Sequence, residues 1–179
     1  MKTKILLSSA FAIATYSAGA FAVSDNTISF QGEVTDQTCS VSINGDSKPV
    51  ILLPTVSTKT LSAVGVSAGT ATFDISVNGC DAATQATQIK TVFSGNMVDT
   101  ANKGTLKNTG TAKNVNLQLL DVDGKDIDLS STWKSEKGDL SLDVGDTEKT
   151  ATYSVQYYAT GQATAGTVAA TVEYAISYL

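Results

Sequence analysis

The sequence predicts an all-β sandwich, and three observations carry that prediction. Beyond residue 22 no stretch sustains a helical period. Thr, Val, Ser, Ala and Gly dominate, and turn signals recur at short intervals. Strands are expected at 27–34, 40–43, 50–53, 71–78, 88–93, 115–121, 140–143, 149–159 and 167–178.

The chain opens with the layout of a secretory signal: Lys2 and Lys4, an apolar run over 5–14, and small residues ending in Ala20-Phe21-Ala22. Residues 1–22 are therefore expected to be removed. The run falls short of the roughly 20 residues that a permanent helical span needs, so an exported, soluble product is expected. Residues 23–179 suffice for one domain with its own core.

The first strand, 27–34, places Ile28, Phe30, Gly32 and Val34 on one face and Thr27, Ser29, Gln31 and Glu33 on the other. Taken alone it fits either the first strand of the domain or a strand given to another molecule. In the second case Ile28, Phe30 and Val34 fill pockets while Gly32 lets backbones come close. Turns between the later strands come from Asn44-Gly45-Asp46, Asn78-Gly79, Ser94-Gly95-Asn96, Asp123-Gly124 and residues 161–166. Pro49 and Pro54 bracket the apolar segment 50–53, which suits an edge strand that can spare a backbone donor. The last strand has the strictest alternation. Val168, Ala170, Val172, Tyr174, Ile176 and Tyr178 share one face, opposite Thr167, Ala169, Thr171, Glu173, Ala175 and Ser177. A terminal segment this regular needs packing on its apolar face and hydrogen bonds along its edges.

Composition narrows the function. There are 12 basic residues, all lysine, against 17 acidic ones, for a net charge of -5, which argues against nucleic-acid binding. No histidine is present, so Ser-His and Cys-His nucleophiles and His-bound zinc are excluded. Carboxylate pairs remain possible, but none lies in a motif that would fix it across a substrate. Cys39 and Cys80, an even count in an exported chain, most simply form one disulfide. Closing a loop of that length contributes about 3 to 4 kcal/mol in the entropic account. The alternative, a reactive free pair, lacks a nearby His or Arg to lower a thiol pKa.

Taken together, Ile28-Ser-Phe30-Gln-Gly32-Glu-Val34 running into Cys39, the strand Phe73-Asp-Ile75-Ser-Val77 ending at Cys80, and the C-terminal pattern resemble a known family. The chain is similar to pilins of the chaperone-usher pathway, close to the major subunits of type 1 and F17-type fimbriae. Such pilins have a penultimate Tyr, here Tyr178, and a Gly fourteenth from the end, here Gly166; the stretch 156–161 also looks F17-like. The resemblance implies an incomplete immunoglobulin-like β-sandwich missing its last strand, with a groove beside the C-terminal strand. Residues 23–36 would form a donor-strand arm and 37–179 the pilin domain. Gly166, Val168, Ala170, Val172, Tyr174, Ile176 and Tyr178 would line the groove. The implied partners are neighbouring pilin subunits in a head-to-tail homopolymer, a periplasmic chaperone, an outer-membrane usher, and host glycans met through the assembled fibre. No cofactor, metal or nucleic acid is implied, and the product would pass through the periplasm to the surface.

The other candidates are weaker. Asp121, Asp123, Asp126 and Asp128 resemble a calcium loop, yet EF-hand spacing puts Lys125 at a ligand position, Asp126 where Gly belongs and Thr132 where Glu belongs. Trp133 suits either a sugar platform or packing. Tyr157 and Tyr158 must face opposite ways on a strand. A tip adhesin or carbohydrate-binding module is the competing reading, but an adhesin of this pathway would carry a lectin domain, and only residues 23–38 precede Cys39 in the exported part. A minor or adaptor subunit shares the same motifs.

Overall fold

Alternating β-branched and aromatic residues separated by Gly and Asn turns produce nine strands in the computed structural model, which describes residues 39–47 and 49–178. All of these fall in one compact unit, Glu33–Leu179. The strands are β1 (Ser40–Ile43), β2 (Ser67–Asn78), β3 (Ile89–Ser94), β4 (Val98–Asp99), β5 (Thr105–Leu106), β6 (Val115–Leu120), β7 (Trp133–Lys134), β8 (Lys149–Ala159) and β9 (Glu173–Tyr178). They form a six-stranded sheet in the order β1-β2-β8-β6-β5-β4 and a three-stranded sheet in the order β7-β3-β9. Every pairing is antiparallel.

Period-two alternation sends Phe73, Ile75 and Val77 of β2, Leu117 and Leu119 of β6, and Ala151, Tyr153 and Val155 of β8 into one core with Ile89 and Phe93 of β3. Leu106, Ile127, Leu129, Leu140 and Leu142 close it from strand ends and loops. A second, smaller cluster of Leu61, Ala112, Val115, Ala159 and Ala163 lies beside it, and Tyr157 and Val168 pack against both. The turns follow the sequence signals where positive φ is required. Asn44 (φ 50°) and Gly45 (φ 79°) close the loop after β1, and the Asn44 carboxamide accepts the Asp74 N–H at 2.8 Å.

Tyr153 ties the layers together. It is fully buried, stacks with Phe73 (ring centroids 5.9 Å apart) and meets Phe93 edge-on at 5.2 Å. Its hydroxyl donates to the Asp139 carboxylate at 2.6 Å, which also accepts Thr91 Oγ1 at 2.6 Å and the Thr91 N–H at 3.1 Å. One half-buried carboxylate thus joins β8, β3 and the loop before Leu140. Cys39 and Cys80 are bonded to each other, with Cα atoms 4.3 Å apart, fastening the start of β1 to the end of β2.

Several strand expectations need correction. Segment 50–53 keeps the alternation, with Ile51 and Leu53 packed inward, but forms no ladder among the described residues. Segment 140–143 makes a single bridge, Thr87 with Leu142. The final strand begins at Glu173 and not at 167, since its earlier half meets an irregular segment. The short strands β4, β5 and β7 carry too little pattern to be foreseen. The leader and the arm, including Ile28, Phe30, Gly32 and Val34, lie outside the described residues.

Burial disfavours the Tyr153 phenolate and the hydrogen bond to Asp139 holds its proton, so its pKa lies above the ordinary 10.0. The unfolded chain releases this proton near pH 10 while the folded one keeps it. The associated stability is therefore full below pH 10 and falls as pH rises beyond it, by up to about 1.4 kcal/mol per pH unit. Tyr153→Phe is expected to remove that part of the alkaline slope and to cost about 1 to 3 kcal/mol at neutral pH, since Asp139 loses a donor. Urea midpoints followed by the emission of Trp133, the single tryptophan, measure both.

Candidate strand-acceptor edge

A residue in a strand aims its N–H and C=O at the same edge, and its neighbours aim theirs at the other. In β3, Ile89 and Thr91 use their carbonyls away from β9, accepting Leu140 N–H at 3.1 Å and Ser135 N–H at 2.9 Å. Lys90, Val92 and Ser94 therefore face β9, opposite Ser177, Ala175 and Glu173. The same parity continues back along the chain. Thr167 O accepts Ala112 N–H at 3.0 Å and Ala169 O accepts Thr109 N–H at 2.8 Å. Thr167 N–H donates to Thr111 Oγ1 and Ala169 N–H to Asn108 Oδ1, both at 2.9 Å.

The backbone groups of Thr167, Ala169, Glu173, Ala175 and Ser177 are thus turned to segment 108–112 and β3. The groups of Val168, Ala170, Val172, Tyr174 and Ile176 point to the opposite edge, where no strand among the described residues pairs with them. Their side chains lean on the core without being sealed in: these five and Tyr178 are half-buried, while Thr167, Ala169, Thr171, Glu173 and Ala175 are exposed. The face predicted from Gly166 to Tyr178 is therefore apolar on its inner side, and from Val168 to Ile176 its outer edge has no partner strand among the described residues.

Residues 55–58 lie across from the start of this stretch, and segment 49–54 runs up to them. Ile51 and Leu53 pack on the main core and Val56 on the smaller cluster, while Val50 and Leu52 are 82% and 83% exposed. Between residues 55–58 and 163–168 opens a cleft of about 410 Å³, lined by Val56, Leu61, Val115, Tyr157, Ala163 and Val168 among others. No hydrogen bond crosses it between backbone groups of the two banks.

Gly166 has a steric role that the sequence pattern did not reveal. A Cβ there would collide with the backbone N and Cα of Ala112, and one at Gly110 would collide with Thr167 O. The pair lets segment 108–112 lie directly against the start of the C-terminal strand and occupy its odd-numbered bonds. Residues 108–112 and 55–58 were not foreseen, because they belong to no periodic run.

The remaining sequence candidates are spent on structure. Asp121 Oδ1 accepts the N–H groups of Asp123 (2.9 Å) and Lys125 (2.8 Å), Asp126 pairs with Lys103 at 3.0 Å, and Asp123 pairs with Lys137 at 3.3 Å. These contacts make an Asx-stabilised turn. No group of three or more His, Cys, Asp or Glu capable of holding a metal occurs among the described residues. Trp133 stacks on Phe93 at 5.8 Å and meets Tyr153 edge-on at 6.2 Å. Tyr157 turns inward, and Tyr158 is buried on the other face with the Lys103 ammonium 6.0 Å from its ring centroid.

Residues 28–179 match the family model described as fimbrial protein. The chain is 39% identical to the F17 fimbrial protein of Escherichia coli over 93% of this chain and 94% of that protein. It is 36% identical to the major fimbrial subunit SMF-1 of Stenotrophomonas maltophilia, covering 86% and 92% of the two. In three dimensions it resembles a subunit from the solved structure of a chaperone-usher pilus, with a TM-score of 0.61 at 19% identity, over 90% of this chain and all of that one.

Gly166→Val is expected to push segment 108–112 off the C-terminal strand at a cost of about 1 to 3 kcal/mol. Hydrogen exchange reads this directly, as faster exchange at the Thr109 and Ala112 amides with β8 amides unchanged.

Proposed function

The chain belongs to the fimbrial protein family and is a structural, non-enzymatic subunit of a surface pilus, and on that premise we propose that it polymerises by lending residues 27–35 to the open edge of its neighbour. Residues 1–22 then act as the export signal, 23–36 as the donor arm, and 37–179 as the body that receives. The observation that carries the reading is the edge of even-numbered residues from Val168 to Ile176, apolar inside and without a partner strand among the described residues. Ile28, Phe30 and Val34 have the matching alternation, with Gly32 where close backbone approach is needed.

Magnitudes support the proposal. Burying the three apolar arm residues at about 1.5 to 3 kcal/mol each gives roughly 5 to 9 kcal/mol, an upper figure before the arm's ordering entropy is subtracted. Each ladder bond adds about 0.5 to 1.5 kcal/mol net. The total is comparable to the stability of a whole domain. A donor at one end and an acceptor on another surface give a head-to-tail contact that need not close, so a filament follows. An edge with this much apolar surface is hazardous when bare. A periplasmic chaperone strand would cover it until an outer-membrane usher delivers the next subunit's arm, and the finished fibre would present the subunit to host glycans in adhesion.

Phe30→Asp is expected to give a subunit that accepts an arm but cannot donate one. Electron microscopy of cells producing only this form should show no fibres of normal length, and normal fibres would refute the donor role. Tyr178→Ala should reduce co-purification with the chaperone; undiminished recovery would remove Tyr178 from the acceptor edge.

A further inference from the structure

The cleft between residues 55–58 and 163–168 has a wall whose position depends on one glycine outside it. Strand β2 slips its register against β8 between Ala68 and Ala71, and Gly69 sits in that bulge with φ +65°. This is the left-handed region that L side chains avoid. Space is equally restrictive. A Cβ on Gly69 would lie 2.7 Å from Val56 Cγ1 and 2.8 Å from Tyr157 Cδ2, and both of those residues line the cleft.

The two neighbours are not equally free to give way. Tyr157 lies in β8, which is paired on both sides, by β2 and β6. Val56 lies in a segment with no ladder partner among the described residues; the nearest bonds are the Ser57 turn contacts to Lys59 and Thr60. Added volume at position 69 would therefore move Val56, and with it the wall facing Val168, before it moved the sheet.

We propose that Gly69 sets the width of this cleft and thereby selects which apolar side chain of the incoming arm is accepted there. The inference rests on the donor-strand reading and names a specificity-determining position for it. The ligand is an extended segment of a second copy of this chain. Gly69 touches none of it directly and acts as a positioning residue through Val56.

The test compares synthetic peptides of residues 24–36: the native arm and three variants, Ile28→Ala, Phe30→Ala and Val34→Ala. Each is labelled and added in excess to the full chain as it refolds from denaturant, and initial uptake rates are expressed as ratios to the native peptide. In Gly69→Ala the ratio at one of the three positions is expected to shift by about tenfold, the discrimination that one methylene gives in an apolar pocket. The other two should hold. Adding Val56→Ala to Gly69→Ala should return the shifted ratio toward wild type, which a general loss of stability would not do.

Should Gly69→Ala fail to fold, Val56→Leu adds volume at the same contact from the Val56 side and should shift the same position. Unchanged ratios in Gly69→Ala, or in Val56→Leu when that variant must stand in, would overturn the role of Gly69 while leaving strand donation intact. Absence of uptake by the wild-type chain would overturn the donor-strand reading, and this inference with it.

Discussion

A C-terminal strand that pairs along one side only among the described residues is the constraint from which the rest of this molecule follows. Backbone N–H and C=O groups beside an apolar core are costly to leave without partners. Here segment 108–112 takes Thr167 and Ala169, and β3 takes Glu173, Ala175 and Ser177, which leaves the alternate residues of the strand to the other edge. Those same residues carry the half-buried apolar side chains. Polar need and apolar need therefore point in compatible directions, and an extended peptide is the one kind of ligand that meets both at once.

The body holds this shape by its own contacts. It does so by concentrating its most complete packing away from the margin, around Tyr153, Phe73, Phe93 and the Asp139 carboxylate, with the Cys39–Cys80 bond fastening β1 to β2. Central strands β2 and β8 are long, 12 and 11 residues, and share a ladder along most of that length. Packing and ladder bonds among the described residues are thus most complete between the sheets around Tyr153.

How much of this was legible depended on period. Tyr174, Ile176 and Tyr178 could be placed on one face because alternation over a dozen residues has no competing explanation, and the Asn44-Gly45 turn was readable because few residues tolerate its dihedral angles. A ladder strand was expected to pair with 167–172, yet the bonds to Thr167 and Ala169 come from Asn108, Thr109, Thr111 and Ala112 through a mixture of side-chain and backbone groups, which no local pattern encodes. Segment 50–53 shows the converse. Its alternation correctly put Ile51 and Leu53 inward, but ladder formation depends on what lies alongside, which sequence does not report. Gly69, Gly110 and Gly166 act by the absence of a Cβ next to residues far away in sequence, so their roles become visible only in three dimensions.

On the donor-strand proposal, the parity of this edge also fixes how an incoming strand could be misaligned. A slip of one residue would turn every apolar side chain of the guest toward water, so such states are strongly disfavoured. The tolerable errors are separated by two residues, about 6.8 Å of travel. Alignment on this surface is therefore stepwise, like a ratchet with widely spaced teeth, and a mis-seated guest must lift several bonds together before it can advance to the next notch.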